Sequence, residues 1–281
     1  MARIPEHIGN LTLMRQLGLG RHCQVWEAVD SGSGRRVAVK VVVPEMAADP
    51  GQRRLLRHEF TVARSLDHPG IIRIDSLSMA GGPPHLVMEL FPHPNLRRQL
   101  TAGVDALAPR LHRIVHEIAE ALDHMHSRGW VHRDVKPDNV LAAADGAVKV
   151  IDLAIAARPL GLVGRLLGRK GPAQGTTSYI APEQIRGGGV DPRADIYALG
   201  CTVFELMTGS TPFSGSTAEE LLRKHLSAPP PALEAFNPNA TESVSRLVRQ
   251  MLAKRPEDRP ATMRDVARQV AGMRFHKRTG G

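Results

Sequence analysis

Eight consecutive residues limit what this chain can fold into more than any other feature. His132-Arg133-Asp134-Val135-Lys136-Pro137-Asp138-Asn139 packs an imidazole, a guanidinium, two carboxylates, an ammonium and a carboxamide into one stretch. An apolar core has no use for such a cluster, because each unpaired buried ion is costly. The stretch must therefore lie where its groups can pair or work. Apolar residues flank it, Gly129-Trp130-Val131 before and Val140-Leu141 after, and predict a loop held between short strands. Asp134 can accept a proton from a hydroxyl, Lys136 can neutralise a transferring phosphate, and Asn139 can offer an oxygen to Mg²⁺.

Composition narrows the setting. The chain has 281 residues, enough for one or two domains of about 150 residues each. Cys23 and Cys201 are its only cysteines, far apart and in no zinc spacing, which favours a reducing, cytoplasmic setting. No apolar run approaches the roughly 20 residues of a membrane helix, and Met1 to Glu6 lacks the apolar core of a signal peptide. We therefore expect a soluble chain. The net charge of +9 raises a nucleic-acid reading, but the basic residues are scattered and aromatics make up 4% of the chain. Base-stacking platforms need more than that, so no nucleic-acid partner is expected. Arginine carries most of the positive charge, and before Lys170 the only lysines are Lys40, Lys136 and Lys149. A retained lysine hints at a compact point charge being needed.

Read along its length, the chain changes character once. Leu11 to Val43 reads as strands, with Val37-Ala38-Val39-Lys40-Val41-Val42-Val43 the strongest. Pro44 to Pro50 reads as a loop, and Arg53 to Leu66 as a helix burying Leu55, Leu56, Phe60, Val62, Ala63 and Leu66. Short strands follow near Ile71–Ser78 and His85–Leu90. After Phe91 the pattern turns helical: Pro109 to Ser127, Ala194 to Thr208, Ala218 to Leu226, Thr241 to Ala253 and Met263 to Met273. The expected organisation is a β-rich part over 1–89, a mainly helical part over 90–271, and a short basic tail over 272–281.

Several stretches suit phosphate handling. Leu17-Gly18-Leu19-Gly20-Arg21-His22-Cys23-Gln24-Val25 joins two strands, and its glycines let backbone N–H groups approach phosphate oxygens. By itself the spacing is that of many plain hairpin turns. Lys40 ends Val37-Ala38-Val39-Lys40. Glu59 is the only acid in the helix that follows, and Val148-Lys149-Val150-Ile151-Asp152-Leu153-Ala154 is a strand leading to an acid. Isolated, Lys40 and Glu59 would read as solvated charges. Their order relative to His132–Asn139 reverses that reading.

Together these stretches resemble the eukaryotic-type protein serine/threonine kinases, bacterial branch, over roughly Leu11 to Val270. His132 to Asn139 matches the catalytic loop H-R-D-x-x-x-x-N, Lys40 the strand lysine, and Ala181-Pro182-Glu183 the end of the activation segment. The resemblance implies an α+β, bilobal kinase fold that uses ATP with Mg²⁺ or Mn²⁺ on protein substrates. It implies Asp134 as proton acceptor, Lys136 on the γ-phosphate, and Lys40, paired with Glu59, on the α/β-phosphates. Asn139 and Asp152 would hold the metal. Leu17, Gly18, Leu19, Gly20, Arg21, Cys23, Val25, Ala38, Met88, Glu89, Phe91 and Leu141 would surround the nucleotide, with Met88 behind the adenine. Arg259 would pair with Glu183, and Asp195 would brace the catalytic loop. His124 and His126, with Asp123, read as ordinary helix-end residues rather than a metal site. Lys136 with Gly175-Thr176 favours serine and threonine acceptors over tyrosine.

The chain departs from the pattern in places. Cys23 stands where a third glycine is usual, and Leu153-Ala154 stands for Phe-Gly, which should restrict backbone flipping. These departures are what supports an alternative, a nucleotide-binding scaffold with little or no transfer. Between Asp152 and Gly175 there is no Ser, Thr or Tyr. The stretch carries Arg158, Arg165, Arg169 and Lys170, with Leu162, Val163, Leu166 and Leu167 at helical spacing. Docking on an acidic partner, on a membrane surface or on the chain itself is one expectation for it, and a solvated loop is the other.

Overall fold

Alternation of side chains builds the first half of the fold. The structure is a computed structural model and describes residue 4, residues 6–159 and residues 176–277. Strands β1 (His7–Ile8), β2 (Leu11–Leu19), β3 (Cys23–Asp30), β4 (Arg36–Val42), β5 (Ile74–Ser78) and β6 (His85–Glu89) form one sheet in the order β1-β2-β3-β4-β6-β5. Every neighbouring pair is antiparallel. Val37, Val39 and Val41 point to one face and bury there with Ile4, Ile8, Leu11 and Ala28. Each such burial contributes roughly 1.5–3 kcal/mol. Period two then sends Ala38 and Lys40 to the opposite face.

Helix α1 (Pro50–Arg64) starts where Asp49 accepts a hydrogen bond from the Gln52 N–H at 2.7 Å, with Pro50 at its first position. That cap stabilises the helix by about 1 kcal/mol. The sequence reading began this helix three residues late, at Arg53, because it took Pro50 for a loop residue. The helix buries Leu56, Glu59, Val62 and Ala63, a stripe of three- and four-residue steps. Leu55, expected inside, lies one residue off that stripe and is 37% exposed.

The remaining elements are α2 (Leu96–Leu100), α3 (Leu111–Ser127), β7 (Val140–Ala142), β8 (Val148–Val150), α4 (Pro182–Ile185), α5 (Arg193–Thr208), α6 (Ala218–Ser227), α7 (Glu242–Met251) and α8 (Met263–Ala271). On α3 the residues Leu111, Ile114, Val115, Ile118, Ala119, Leu122 and Met125 are buried, as the periodicity predicts. Helix α5 is the centre of this part, buried from Ala194 to Met207 without a polar face. Gly209 ends it in the left-handed conformation (φ 78°), with its N–H on the Glu205 carbonyl.

The chain divides into two compact units, Met1–Pro92 with Asp152–Ala154, and His93–Ile151 with Ile155–Gly281. The first unit therefore runs past residue 89 and takes in a short piece from far along the chain. The expected tail is also different. Phe275 is 3% exposed, His276 bridges to Ala240, and the Arg274 carbonyl accepts from Thr241 Oγ1 at 2.5 Å. An apolar ring two residues after Met273 anchors a stretch whose composition reads as a loose basic end. Among the described residues no helix is long and apolar enough to cross a membrane.

Candidate active site

In the first unit the residues expected around a nucleotide gather on one sheet face. Register places Gly18 opposite Val25, Val25 opposite Lys40, and Ala38 opposite Met88. Directly opposed residues of antiparallel strands share a face, so Gly18, Val25, Ala38, Lys40 and Met88 lie together, with Cys23 two residues from Val25. Leu19 does not join them. It pairs with Gln24 on the other face and is 75% exposed. Leu17 sits at a ladder irregularity between Gln16 and Gly18. Glu89 ends β6, and its backbone N–H is used by the Arg73 carbonyl. Phe91 follows it, half-buried.

The turn between β2 and β3 has Arg21 and His22 at its apex, closed by the Gly20 N–H on the Cys23 carbonyl at 2.9 Å. A Cβ on Gly20 would lie 3.1 Å from that carbonyl oxygen, so the close approach calls for glycine. Burial pushes the Cys23 thiol up, so it stays protonated despite the nearby Lys40.

Lys40 is the charge centre of this unit. Its Nζ donates to Glu59 Oε1 at 2.9 Å, to Glu59 Oε2 at 2.8 Å and to Asp152 Oδ1 at 3.0 Å. Burial alone would lower the Lys40 pKa, but the Asp152 and Glu59 carboxylates outweigh it and hold the ammonium charged. Glu59 also accepts from the Leu153 backbone N–H. Strand β8 stops at Val150, short of the acid, and Asp152 takes a left-handed backbone (φ 65°). The positive φ thus falls on Asp152, a residue type that tolerates it, and not on Ala154. The alanine costs no strain in this conformation.

In the second unit the His132–Asn139 loop folds on itself. Asp134 Oδ2 accepts from Lys136 Nζ at 2.6 Å and from Asn139 Nδ2 at 2.9 Å. Asp134 Oδ1 accepts from the Thr176 N–H at 3.0 Å and its Oγ1 at 2.9 Å, and Lys136 Nζ also reaches Thr176 Oγ1 at 2.5 Å. Asn139 spends its Nδ2 hydrogens on the Asp134 carbonyl and carboxylate. Its Oδ1 is the oxygen a hard cation takes, so the residue fits a magnesium ligand. Leu141, in β7, bridges to Asn95.

Asp195 holds this loop by its backbone. Its Oδ2 accepts from the His132 N–H and from His126 Nε2, each at 2.8 Å, and its Oδ1 from the Arg133 N–H at 2.8 Å. Among the described residues Arg133 is the other non-glycine residue with positive φ, 73°. Burial would raise the Asp195 carboxyl, but His126 and the backbone donors hold it below the usual carboxylate range. His132 is buried. Its Nδ1 accepts from the Asp134 N–H at 3.2 Å while Nε2 donates to the Ile151 carbonyl at 3.1 Å, which fixes the proton on Nε2.

His126 lies in the last turn of α3, as expected, and adds a role the helix-end reading does not include, the bond to Asp195. It lies four residues after Leu122, on the buried stripe of α3, and a polar residue on a buried stripe was the available signal. A second network also escaped the sequence. Arg97 Nη1 meets Glu205 Oε1 at 2.5 Å, its Nε meets Asp138 Oδ2 at 3.3 Å, and the Tyr179 hydroxyl, which also contacts Arg97, donates to Glu205 at 2.6 Å. Arg259 pairs with Glu183 at 2.7 and 2.8 Å while 4% exposed, the pair expected at the end of the activation segment. Arg158 stacks over Trp130 at 4.5 Å, so this cation is engaged within its own unit. Arg165, Arg169, Lys170, the apolar positions Leu162, Val163, Leu166 and Leu167, and Gly175 lie outside the described residues.

Both constellations are those of one class: the chain belongs to the protein kinase family, whose protein kinase domain matches residues 11–271. It is 36% identical over 259 residues to a probable serine/threonine-protein kinase of Streptomyces coelicolor, covering 89% of this chain and 38% of that protein. It is 34% identical to the serine/threonine-protein kinase PrkC of Bacillus subtilis, over 92% of this chain and 39% of PrkC. With the serine/threonine-protein kinase PknB of Mycobacterium tuberculosis it shares 34% identity over 92% of this chain and 42% of PknB. The chain thus spans about two fifths of the length of these curated relatives.

Proposed function

We propose that the chain transfers the γ-phosphoryl group of ATP to serine and threonine hydroxyls of proteins. One observation carries this reading. A threonine hydroxyl, Thr176 Oγ1, already lies 2.9 Å from Asp134 Oδ1 and 2.5 Å from Lys136 Nζ. A substrate hydroxyl seated at the same carboxylate would find a proton acceptor and a neighbouring cation. Asp134 orients the hydroxyl and takes its proton, and Lys136 balances charge on the moving phosphoryl group. Lys40, held by Glu59, faces the α/β-phosphates, and the Gly18–Val25 turn covers them. Asp152 of the first unit and Asn139 of the second each offer an oxygen suited to Mg²⁺, which when bound neutralises phosphate oxygens. Val25, Ala38 and Met88 supply the apolar face for adenine.

Two free thiols, Cys23 and Cys201, fit the cytoplasmic setting we propose for this domain. The domain division at 1–89 and 90–271 is retained as the functional one, with the glycine turn, Lys40 and Glu59 in the first part and the catalytic loop in the second.

The test is phosphate transfer from Mg-ATP to a general acceptor protein. Asp134→Asn should lower the rate by about 10²–10⁴-fold while nucleotide still binds. Equal, near-zero transfer by both proteins would sink the enzyme reading and leave a nucleotide-binding scaffold.

A further inference from the structure

The glycine-containing turn of the first unit is tied at its apex to two other elements. The Val43 N–H donates to the His22 carbonyl at 3.0 Å, which joins the apex to the end of the strand that carries Lys40. Gln52 Nε2 donates to His22 Nδ1 at 3.2 Å, which joins the same apex residue to helix α1. Gln52 and Glu59 are seven residues apart, close to two full turns, so they project from one side of α1. The first turn of α1 therefore reaches the apex through Gln52, and its third turn reaches Lys40 through Glu59. The turn, the lysine strand and the helix close a ring of contacts in which His22 is one corner. Cys23 belongs to the same arrangement: it replaces the residue type that would leave the turn most mobile.

We propose that His22 and Gln52 are positioning residues that make the phosphate-covering turn and helix α1 move as one body. A displacement of α1 that parts Glu59 from Lys40 then also lifts the turn, and closure of the turn favours the Lys40–Glu59 pair. The proposal rests on the nucleotide-binding reading above for its kinetic consequence. Its mechanical content stands apart from that reading.

Two measurements test it on the full chain. The first is backbone hydrogen exchange of residues 18–25 in wild type, His22→Ala, Gln52→Ala and the double variant. Gln52→Ala changes only the helix, yet exchange in the turn should speed up about as much as in His22→Ala. His22→Asn, whose Oδ1 can accept where Nδ1 did, should restore slow exchange. Turn exchange unchanged in Gln52→Ala overturns the proposal. The second is the KM for ATP. Each single variant should raise it by about three- to tenfold, the worth of one hydrogen bond, with a smaller change in kcat. The double variant should be no worse than either single one, because both remove the same contact. Multiplying effects in the double variant also overturn it. If wild type itself neither binds nor uses ATP, the functional reading fails, and the exchange measurement still decides whether the turn and helix are joined.

Discussion

The two charged clusters are built in opposite ways. Lys40 meets Glu59 and Asp152, partners 19 and 112 residues away along the chain. Asp134 meets Lys136 and Asn139, two and five residues away, and among the described residues takes Thr176 as its one distant partner. The first cluster exists only once a sheet, a helix and a distant turn have assembled. The second is nearly written into one loop, and the rest of the fold serves to fix that loop's course. Damage should therefore spread differently: through partners in the first cluster, and through scaffolding in the second.

The largest effect should come from removing that scaffolding. Asp195→Ala strands three donors, the His132 and Arg133 N–H groups and His126 Nε2. Loss of such a buried acceptor should cost roughly 3–5 kcal/mol in denaturant unfolding. Phosphate transfer should fall with it, while the nucleotide affinity of protein that remains folded holds. An equal loss of nucleotide affinity would break the separation between the clusters.

A pH titration gives the next largest change and touches neither cluster. His225 is fully buried, and its Nδ1 is hydrogen-bonded with the Tyr197 hydroxyl at 2.9 Å. Burial, helped by the Lys254 charge, lowers its pKa to about 4. In the unfolded chain the same group titrates near 6.5, so between those values the unfolded state binds the extra proton. Stability should be complete above about pH 6.5 and fall by roughly 3 kcal/mol as pH drops to about 4. His225→Gln should flatten that slope. A slope unchanged in this variant would show that another group carries it.

The smallest of the three effects is in the first cluster. Glu59→Gln leaves Lys40 with Asp152 alone as a charged partner. The KM for ATP should rise about tenfold, the scale of one charge-assisted hydrogen bond, with global unfolding shifted less than in Asp195→Ala. A variant that loses turnover at unchanged KM would place Glu59 with the second cluster.

These constructions also explain what the sequence could reveal. The His132–Asn139 loop was legible because its partners are close in the chain. Glu59 was legible because no other acid competes for the role in α1. The start of α1 was missed at Asp49-Pro50, where a cap and a first-turn proline looked like loop. His126, Arg97 and Glu205 left no local pattern, because their contacts span 69 residues for His126–Asp195 and 108 for Arg97–Glu205. The face shared by Gly18, Val25, Ala38, Lys40 and Met88 depends on register across four strands, which alternation within one strand does not fix.

The grip of Asp195 on two amides has a consequence for descent. Amides are common to every residue type but proline, so the carboxylate shapes the loop without reading its side chains. Reactivity and contour are thus inherited separately. A lineage could exchange the aspartate at 134, lose turnover in one step and keep its silhouette, ready to be selected as a docking platform.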